Sequence, residues 1–388
     1  MDLSYSPDEE RFRVRVRAWL AENIPAAGAL KTIDDLRAWQ RTLHAAGYLG
    51  AAWPKEYGGA GLSEMEQAIL NEELARARAP QVVNAMAIWW VGPAIMRYGT
   101  DAQKKRFIPP ILTAEEIWAT GYSEPTSGSD MAAAKTRAVR DGDVYVVNGQ
   151  KVWTTYAHIS DWFFVLVRTS TEGPKWAGLS LLLMDLRSPG VEIRPIRQID
   201  GSAEFNEVFM TDVRVPVTNL LGKEGQGWEV VSSALINERT GIAGSVRFDL
   251  ALDWLATTAR GQGKAKDPRV RQRIAELATK AAIVRYSGLR TLTDSLRGRM
   301  NPHLSAAMKL TTTQLTQEFS ETAMDVLGPY AALMDDAHAP GNGRWAKQYL
   351  GDRSMTIAGG TSEVQRNIVA QRILGLPRDR GGASATKS

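Results

Sequence analysis

The chain changes its hydrophobic period twice, and these two changes restrict the folds open to it. In the first third, apolar residues such as Phe12, Val16 and Leu20 recur at helical spacing. From about residue 119 short β-prone segments separated by turn residues take over, and from Trp228 onward long helical patterns return. Because helical and strand segments are segregated along the chain, the sequence predicts an α+β fold rather than alternating β–α units.

This order predicts three domains and a tail. Residues 1–118 are expected to form an N-terminal helical domain, residues 119–227 a middle β-domain and residues 228–380 a C-terminal helical bundle, while residues 381–388 are expected to be a flexible tail. With 388 residues the chain is long enough to bury a sizeable core in several packed layers.

Helix starts are marked in the N-terminal third. Ser6, Ser63 and Thr100 each stand three residues before a Glu or Gln, which is the pattern of a capping box. The most apolar stretch, Ala85–Met96, is too short to span a bilayer and is interrupted by Gly-Pro, so we expect a buried helix there. The N-terminus lacks the basic start and apolar core of a signal peptide, which predicts a cytoplasmic protein.

Composition excludes several classes of site. The chain has no cysteine, so disulfides, thiolate nucleophiles, cysteine-ligated zinc and cysteine-held iron–sulfur clusters are excluded. The four histidines are far apart in sequence and show no ligand spacing, so no catalytic metal is expected. The formal charge of +4 is small for this length and the basic residues are scattered among acids, which argues against nucleic acid as a partner.

Two turn signals stand in the β-domain. Asp141-Gly142 and Asn148-Gly149 are dipeptides typical of tight hairpin turns, so we expect the chain to turn at both. On the strand after the second, Trp153 and Thr155 point to one face because side chains alternate along a strand. A planar indole beside a hydroxyl suits a flat heteroaromatic ring such as a flavin, and packing in the core is the alternative for such a tryptophan.

The segment that opens the β-domain, GYSEPTSGSD at Gly121–Asp130, is rich in hydroxyls and small residues. Around Gly128 these residues let backbone amides and side-chain oxygens approach a ligand closely. A plain surface turn is the alternative. The segment is neither a phosphate-binding Walker loop nor a dinucleotide fingerprint, because it lacks the Gly-Lys-Ser/Thr and the GxGxxG patterns.

Taken in order, these motifs resemble the acyl-CoA dehydrogenase family. GYSEPTSGSD is similar to the first signature of that family, and NGQKVWTT is similar to its flavin-contacting strand. The similarity continues through FNEVFMTDVRVP, GKEGQGW and the C-terminal GGTSEVQRNIVAQRILGLPR, and covers about residues 63–378. The resemblance implies an N-terminal helical domain, a middle β-barrel or sheet domain and a C-terminal four-helix bundle, with FAD held between the β-domain and the C-terminal helices.

The resemblance also implies roles for individual residues. Trp153 would stack on the flavin and Thr155 would form a hydrogen bond near its N5 atom. Ser129, Arg239 and Gly359 would contact the acyl-CoA substrate. The remaining contacts with FAD would come from Tyr122, Ser123, Ser129, Thr361 and Glu363.

Many members of the family carry a catalytic glutamate at the place that Gly359 occupies here. In the isovaleryl-CoA and long-chain members this base instead lies on an earlier helix, just before an arginine, and Glu238-Arg239 matches that pattern. Val230–Arg247 is predicted to be a helix whose apolar face includes Glu238, where burial would raise the pKa of a carboxylate that acts as a base. A structural ion pair with an arginine is the alternative for Glu238.

Two places depart from the family pattern. The Arg-x-x-Phe-Gly segment, whose arginine holds the FAD pyrophosphate of a neighbouring subunit, is replaced by Ala259–Ile274. Asp325 stands where the family has a glutamine that also reaches across the dimer, and an acid near a pyrophosphate is unfavourable. The neighbour's FAD is therefore held differently, or the chain pairs with a related subunit that completes the site.

Three functions are compatible with these features. The first is an FAD-dependent acyl-CoA dehydrogenase of lipid β-oxidation that introduces an α,β-double bond, passes electrons to an electron-transfer flavoprotein and assembles as a homodimer or homotetramer. The second is an FAD-sharing subunit of a heterotetramer, as in members of the family that act on steroid side-chain thioesters. The third is a flavin relative with another reaction, such as a monooxygenase or a desulfinase.

Overall fold

Two compact units divide the chain, Met1–Thr240 and Gly241–Ser388. The computed structural model describes residues 5–26, 28–236, 242–299, 301–334 and 337–377. Helices come first, an eight-stranded sheet follows and helices return, so the predicted α+β fold is confirmed. The domain boundaries predicted at residues 118 and 227 stay predictions.

The N-terminal part of the first unit consists of helices, three of which begin where the sequence predicts. Capping boxes are confirmed at Ser6, Ser63 and Thr100, whose side-chain oxygens each accept a hydrogen bond from the amide three residues later. These caps satisfy amides that a helix end otherwise leaves without partners. The helices are α1 (Pro7–Asn23), α2 (Ile33–Ala45), α3 (Glu64–Arg76), α4 (Gly92–Tyr98) and α5 (Asp101–Thr113).

The apolar stretch before α4 differs from the expected buried helix. Ala87–Val91 form a π-helical turn that leads directly into α4. Pro93 has no amide hydrogen, so the regular helical ladder cannot continue through it and the turn widens. Trp89 remains 45% exposed, whereas Ile88 and Val91 pack in the core.

The sheet of the first unit has the strand order β6-β7-β3-β2-β4-β5-β8, with β1 paired to β4. β1 and β2 pair with β4 in parallel, and the other neighbours are antiparallel. The strands are β1 (Trp118–Gly121), β2 (Arg137–Asp141), β3 (Val144–Thr155), β4 (Trp162–Arg168), β5 (Leu179–Asp185), β6 (Val191–Ile196), β7 (Phe205–Pro216) and β8 (Leu220–Leu221). Helix α6 (Gly227–Ile236) follows.

Both faces of the central strands are covered, so the sheet separates two cores. Along β4, Phe164 and Leu166 pack in one core with residues of the N-terminal helices. Phe163 and Val165, which alternate with them, pack in a second core formed by the sheet itself. This alternation explains why β4 is an almost continuous apolar run in the sequence.

The two predicted turns have different outcomes. The chain turns at Asp141-Gly142, between β2 and β3, and Gly142 has a φ of +63° as such a turn requires. The turn predicted at Asn148-Gly149 is wrong, because both residues lie inside β3 at a bulge opposite β7. The side chain of Asn148 instead bonds Asp212 across the sheet, with its amide 2.9 Å from the Asp212 carboxylate.

Gly149 is required by the close approach of Thr136, the residue before β2. A Cβ atom at this position would lie 2.6 Å from Thr136 Oγ1 and 2.8 Å from Thr136 Cα. We expect Gly149→Ala to lower the free energy of unfolding by about 2 kcal/mol, because the backbone of Thr136 must move. Gly142→Ala is the control: it has a positive φ but nothing within 4 Å of the added Cβ, and is expected to cost about 1 kcal/mol. Urea denaturation measures both, and equal losses would contradict this explanation.

The second unit is helical. Its long helices α7 (Ile242–Gly261), α8 (Pro268–Leu296) and α9 (Leu304–Leu327) pack against one another, and α9 also contacts the short helices α10 (Arg344–Gly351) and α11 (Ser362–Ile368). Phe248 on α7 and Phe319 on α9 stack with ring centroids 5.6 Å apart. Leu255, Leu277 and Trp345 belong to the same core.

Candidate active site

The structure brings the two predicted motif segments of the first unit together. The amide of Val152 on β3 donates to the carbonyl of Ser123, 3.0 Å away. One residue earlier, Lys151 Nζ lies 3.2 Å from the carbonyl oxygen of Tyr122. The hydroxyl-rich loop after β1 therefore lies directly along the strand that carries Trp153 and Thr155.

A buried ion pair joins this loop to the sheet. Lys151 Nζ is 2.9 Å from Glu124 Oε1, with side-chain exposures of 0% and 6%. The same carboxylate accepts hydrogen bonds from the amides of Lys135 at 2.6 Å and Thr136 at 2.8 Å. Glu124 thus connects the loop, the start of β2 and strand β3 through one side chain.

Burial and pairing act against each other in this pair. Burial lowers the pKa of Lys151 to about 8, although the Glu124 carboxylate acts in the opposite direction. Burial alone would raise the pKa of Glu124, but the charge of Lys151 and hydrogen bonds from Lys151 and the Lys135 amide bring that pKa below its ordinary value. Both groups are therefore charged at neutral pH.

This ion pair was not predicted from the sequence, although Lys151 left a signal there. Alternation from the buried Val147 places Lys151 on the covered face of β3, where a lysine needs a partner. Glu124 left no comparable signal, because it lies in a loop and is brought to Lys151 by the folding of the sheet.

Trp153 stands on a bulge in β3. The register with β7 shifts between Lys151 and Thr154, and Trp153 has a φ of +60°. A left-handed backbone is costly for a bulky residue and persists only where its surroundings enforce it. Its indole is 58% exposed and meets Phe205 edge-on, with centroids 6.1 Å apart, so a broad aromatic face lies open to solvent.

Asn206 holds the backbone beside this bulge. Its amide nitrogen donates to the carbonyl of Thr154 at 2.9 Å and to that of Glu204 at 3.1 Å. Its oxygen therefore accepts from His158 Nδ1, 3.0 Å away, which assigns the hydrogen to that ring nitrogen. Thr154 is buried, whereas Thr155, the residue predicted to meet the flavin, is half-buried.

The predicted loop residues differ in exposure. Ser129 is exposed, whereas Ser123 and Tyr122 are half-buried, and Tyr122 packs edge-on against Phe164 with centroids 6.2 Å apart. A Cβ on Gly128 would meet nothing within 4 Å. The loop therefore presents hydroxyls and open backbone on a framework fixed by its buried neighbours.

The predicted C-terminal site residues belong to the second unit. Gly359 is exposed with a φ of +63°, and its carbonyl accepts from Gln365 Nε2 at 3.1 Å. Thr361 caps α11 by accepting from the Val364 amide at 3.3 Å. Glu363 pairs with Arg366 at 3.3 Å, and a hydrogen bond from its own amide lowers the pKa of its carboxyl.

Glu238 and Arg239 lie outside the described residues. Helix α6 ends at Ile236 and α7 begins at Ile242, and the predicted base falls between these limits. Among the described residues, no group of three or more His, Asp or Glu could hold a metal ion. No described helix has both the length and the apolar character needed to cross a bilayer.

The indole of Trp153 is exposed and strained, and it lies beside a hydroxyl-rich loop on a sheet that follows one set of helices and precedes another. This arrangement is consistent with a flavoprotein oxidoreductase. Family models carry the assignment further. The acyl-CoA dehydrogenase N-terminal domain matches residues 6–115, the middle domain residues 119–213 and the C-terminal domain residues 225–374. The chain belongs to the acyl-CoA dehydrogenase family, whose members are flavoprotein oxidoreductases of lipid and fatty-acid metabolism, so the predicted family is confirmed.

Similar proteins cover nearly the whole chain. Acyl-CoA dehydrogenase IpdE1 of Mycobacterium tuberculosis is 41% identical over 97% of this chain and 100% of its own length. The solved ChsE4-ChsE5 complex from Mycobacterium tuberculosis contains a chain that is 34% identical, with a TM-score of 0.86 over 97% of this chain and 100% of that one. The solved Tcur3481-Tcur3483 steroid ACAD is 30% identical, with a TM-score of 0.87 over 98% of this chain and 100% of that one.

Proposed function

We propose that this chain is an FAD-dependent acyl-CoA dehydrogenase that introduces an α,β-double bond into an acyl-CoA thioester. The observation that carries this proposal is the exposed face of Trp153, held in a left-handed conformation next to the hydroxyl-rich loop. A flat aromatic face with neighbouring hydroxyls and open backbone around Gly128 fits an isoalloxazine ring system. Tyr122, Ser123 and Thr155 would hold the flavin, and Thr361 and Glu363 the rest of the dinucleotide.

The reaction requires a proton and a hydride to leave neighbouring carbons. FAD, when bound, supplies the acceptor for the hydride from the β-carbon. Glu238 would take the proton from the α-carbon, since a positioned carboxylate lowers the barrier to this transfer. The amide of Gly359 would donate to the thioester oxygen, where negative charge develops, while Ser129 and Arg239 would contact the substrate.

We further propose a steroid-derived acyl-CoA as substrate, on the basis of the steroid ACAD among the similar structures. Straight, branched, aromatic and steroid acyl-CoAs should be mixed anaerobically with the purified flavoprotein while the flavin absorbance is followed. Rapid bleaching by a steroid acyl-CoA is the expected result. Bleaching only by straight chains would contradict the substrate class, and failure of the whole panel would favour the monooxygenase or desulfinase alternative.

Trp153→Gly should separate cofactor binding from stability. Glycine tolerates the φ of +60° without strain, so the free energy of unfolding of the apoprotein is expected to change by no more than about 1 kcal/mol. Flavin retention should fall, because the stacking face is lost. Flavin content by absorbance and urea denaturation of the apoprotein measure the two effects. Full flavin retention would contradict the stacking role, and Trp176→Gly, which removes another exposed indole, is the control.

A second candidate is an FAD-sharing subunit of a heteromeric enzyme. Asp325 is exposed on α9, at the place where the family has a glutamine that reaches a neighbour's cofactor. Arg273, in the segment that replaces Arg-x-x-Phe-Gly, is engaged with Glu276 at 2.8 Å and Glu318 at 3.5 Å. The ChsE4-ChsE5 complex is a precedent for such pairing.

Purification of the chain expressed alone distinguishes the two assemblies. A yellow homodimer or homotetramer with bound FAD would support the first candidate, and a colourless chain that gains FAD only with a related subunit would support the second.

Electron-transfer flavoprotein as the electron acceptor and a cytoplasmic location stay predictions.

A further inference from the structure

A cleft of about 400 Å³ opens on the first unit, between α2, the turn after β3 and the ends of β5 and β6. Part of its wall is aliphatic, formed by Ile33, Ile159, Leu186 and Ile193. Clefts that bind small organic molecules combine such apolar walls with a few polar groups, and this volume is in their usual range.

The polar part of the cleft carries excess positive charge. Arg37 and Arg187 both line it, together with the single carboxylate of Asp161. Arg187 donates to Asp161 Oδ1, and the amide of Ile117 donates to Asp161 Oδ2 at 2.9 Å. Arg37 Nη2 is 3.7 Å from Asp161 Oδ2, beyond hydrogen-bond distance. Two guanidinium groups thus share one carboxylate, which accepts hydrogen bonds from Arg187 and from the Ile117 amide but not from Arg37.

Of the charged side chains that line the cleft, Arg37 has the fewest hydrogen-bond partners. Its side chain is only 27% exposed, and its Nε atom is buried with no hydrogen-bond partner. Among the residues that the structure describes, the Arg37 guanidinium forms an ion pair with Asp161 but no hydrogen bond. The Nε atom is itself out of reach of solvent, so the donors that remain for an acceptor in the cleft are the Nη groups of the partly exposed side chain.

Two nearby carboxylates are engaged elsewhere. Asp35, on the first turn of α2, accepts from the amides of Lys31 at 3.0 Å and Thr32 at 2.9 Å. Asp185 accepts a hydrogen bond from the backbone amide of Arg187 at 2.8 Å, so this bond does not involve the Arg187 guanidinium. Neither acid therefore supplies the acceptor that Arg37 lacks.

We infer that this cleft binds a small organic anion, a carboxylate on a short aliphatic body. The carboxylate would accept hydrogen bonds from Arg37 and Arg187, which suit its planar geometry. The aliphatic body would lie against Ile33, Ile159 and Leu186. This inference concerns a site separate from the flavin-contacting residues and does not depend on the proposed reaction.

Hexanoate is a suitable probe, and hexanamide and hexylamine are its neutral and cationic counterparts. Titration calorimetry of the full chain is expected to show saturable binding of hexanoate and none of hexylamine, with hexanamide at least about tenfold weaker because the charge-assisted bonds are lost. Arg37→Gln should weaken hexanoate binding by about tenfold or more. Arg214→Gln, an exposed arginine on β7 paired with Asp141, is the control and should leave binding unchanged.

Crystals soaked with 6-bromohexanoate locate the site, because an anomalous bromine peak is expected beside the aliphatic wall. A peak at any other position, equal affinity for hexanamide, unchanged affinity of Arg37→Gln or no saturable binding would each overturn the inference. The measurements use neither flavin reduction nor acyl-CoA, so their failure would leave the proposed dehydrogenase reaction untouched.

Discussion

Glu238→Gln is expected to retain FAD while its flavin is reduced by acyl-CoA about 100- to 10,000-fold more slowly, the range that a positioned general base contributes. Glutamine keeps the size of the side chain and its hydrogen-bonding capacity but cannot accept the α-proton. Anaerobic stopped-flow absorbance of the flavin measures the rate, and the flavin content of the purified variant shows that the fold is preserved.

The matched control for this variant is Glu229→Gln on α6. Glu229 is exposed and accepts hydrogen bonds from Tyr98 at 3.3 Å and Gln226 at 3.1 Å, so its replacement removes a carboxylate of the same type without a proposed role in the reaction. Its flavin should be reduced at the rate of the unchanged protein. Near-normal reduction of Glu238→Gln would refute the assignment of the base and leave the structural ion pair as its explanation.

Lys151→Met is expected to lower the free energy of unfolding by about 3–5 kcal/mol, the usual loss when one partner of a buried ion pair is removed. Methionine fills a similar volume, so the loss comes from the uncompensated charge of Glu124 rather than from a cavity. The carboxylate would keep the amides of Lys135 and Thr136 as donors, but it would lose its cation. Urea denaturation followed by circular dichroism measures the change.

The double variant Lys151→Met/Glu124→Gln tests the cause of that loss. A neutral amide has no charge to desolvate, and its one oxygen can still accept from either the Lys135 or the Thr136 amide, which the carboxylate binds through separate oxygens. The double variant is therefore expected to be more stable than Lys151→Met alone. Equal stability of the two would show that packing, and not the buried charge, accounts for the effect.

The stability contributed by Lys151 should also depend on pH. Its pKa is about 8 in the folded protein, against an ordinary value of 10.5 in the unfolded chain. Between these values the unfolded chain binds more protons than the folded one, so the free energy of unfolding rises with pH. Relative to Lys151→Met, the unchanged protein should therefore gain stability as the pH rises from about 8 to about 10.5. A constant difference across this window would contradict the lowered pKa.

Local sequence patterns were sufficient for the elements whose cause is local. The capping boxes at Ser6, Ser63 and Thr100 and the turn at Asp141-Gly142 form as predicted, because each needs only a few neighbouring residues. The family and the order of helices and strands were likewise recognisable from motifs and periodicity.

Asn148-Gly149 shows where local chemistry is insufficient. The dipeptide has the same preference for a tight turn as Asp141-Gly142, yet it continues β3 because Asn148 bonds Asp212 on β7 and Gly149 lies against Thr136, the residue before β2. Those partners are distant in sequence, so only the assembled sheet decides between a turn and a bulge.

From the sequence alone came the α+β order of elements, the helix starts and the residues expected to face a flavin, since each depends on periodicity or on a short motif. The tertiary structure alone decided that Glu124 and Lys151 form a buried ion pair and that Trp153 stands exposed in a left-handed bulge. It also decided that Arg37 and Arg187 meet in one cleft. The physical reason is that burial, and with it the strength of a charge or the exposure of a ring, depends on segments that only the folded sheet brings together.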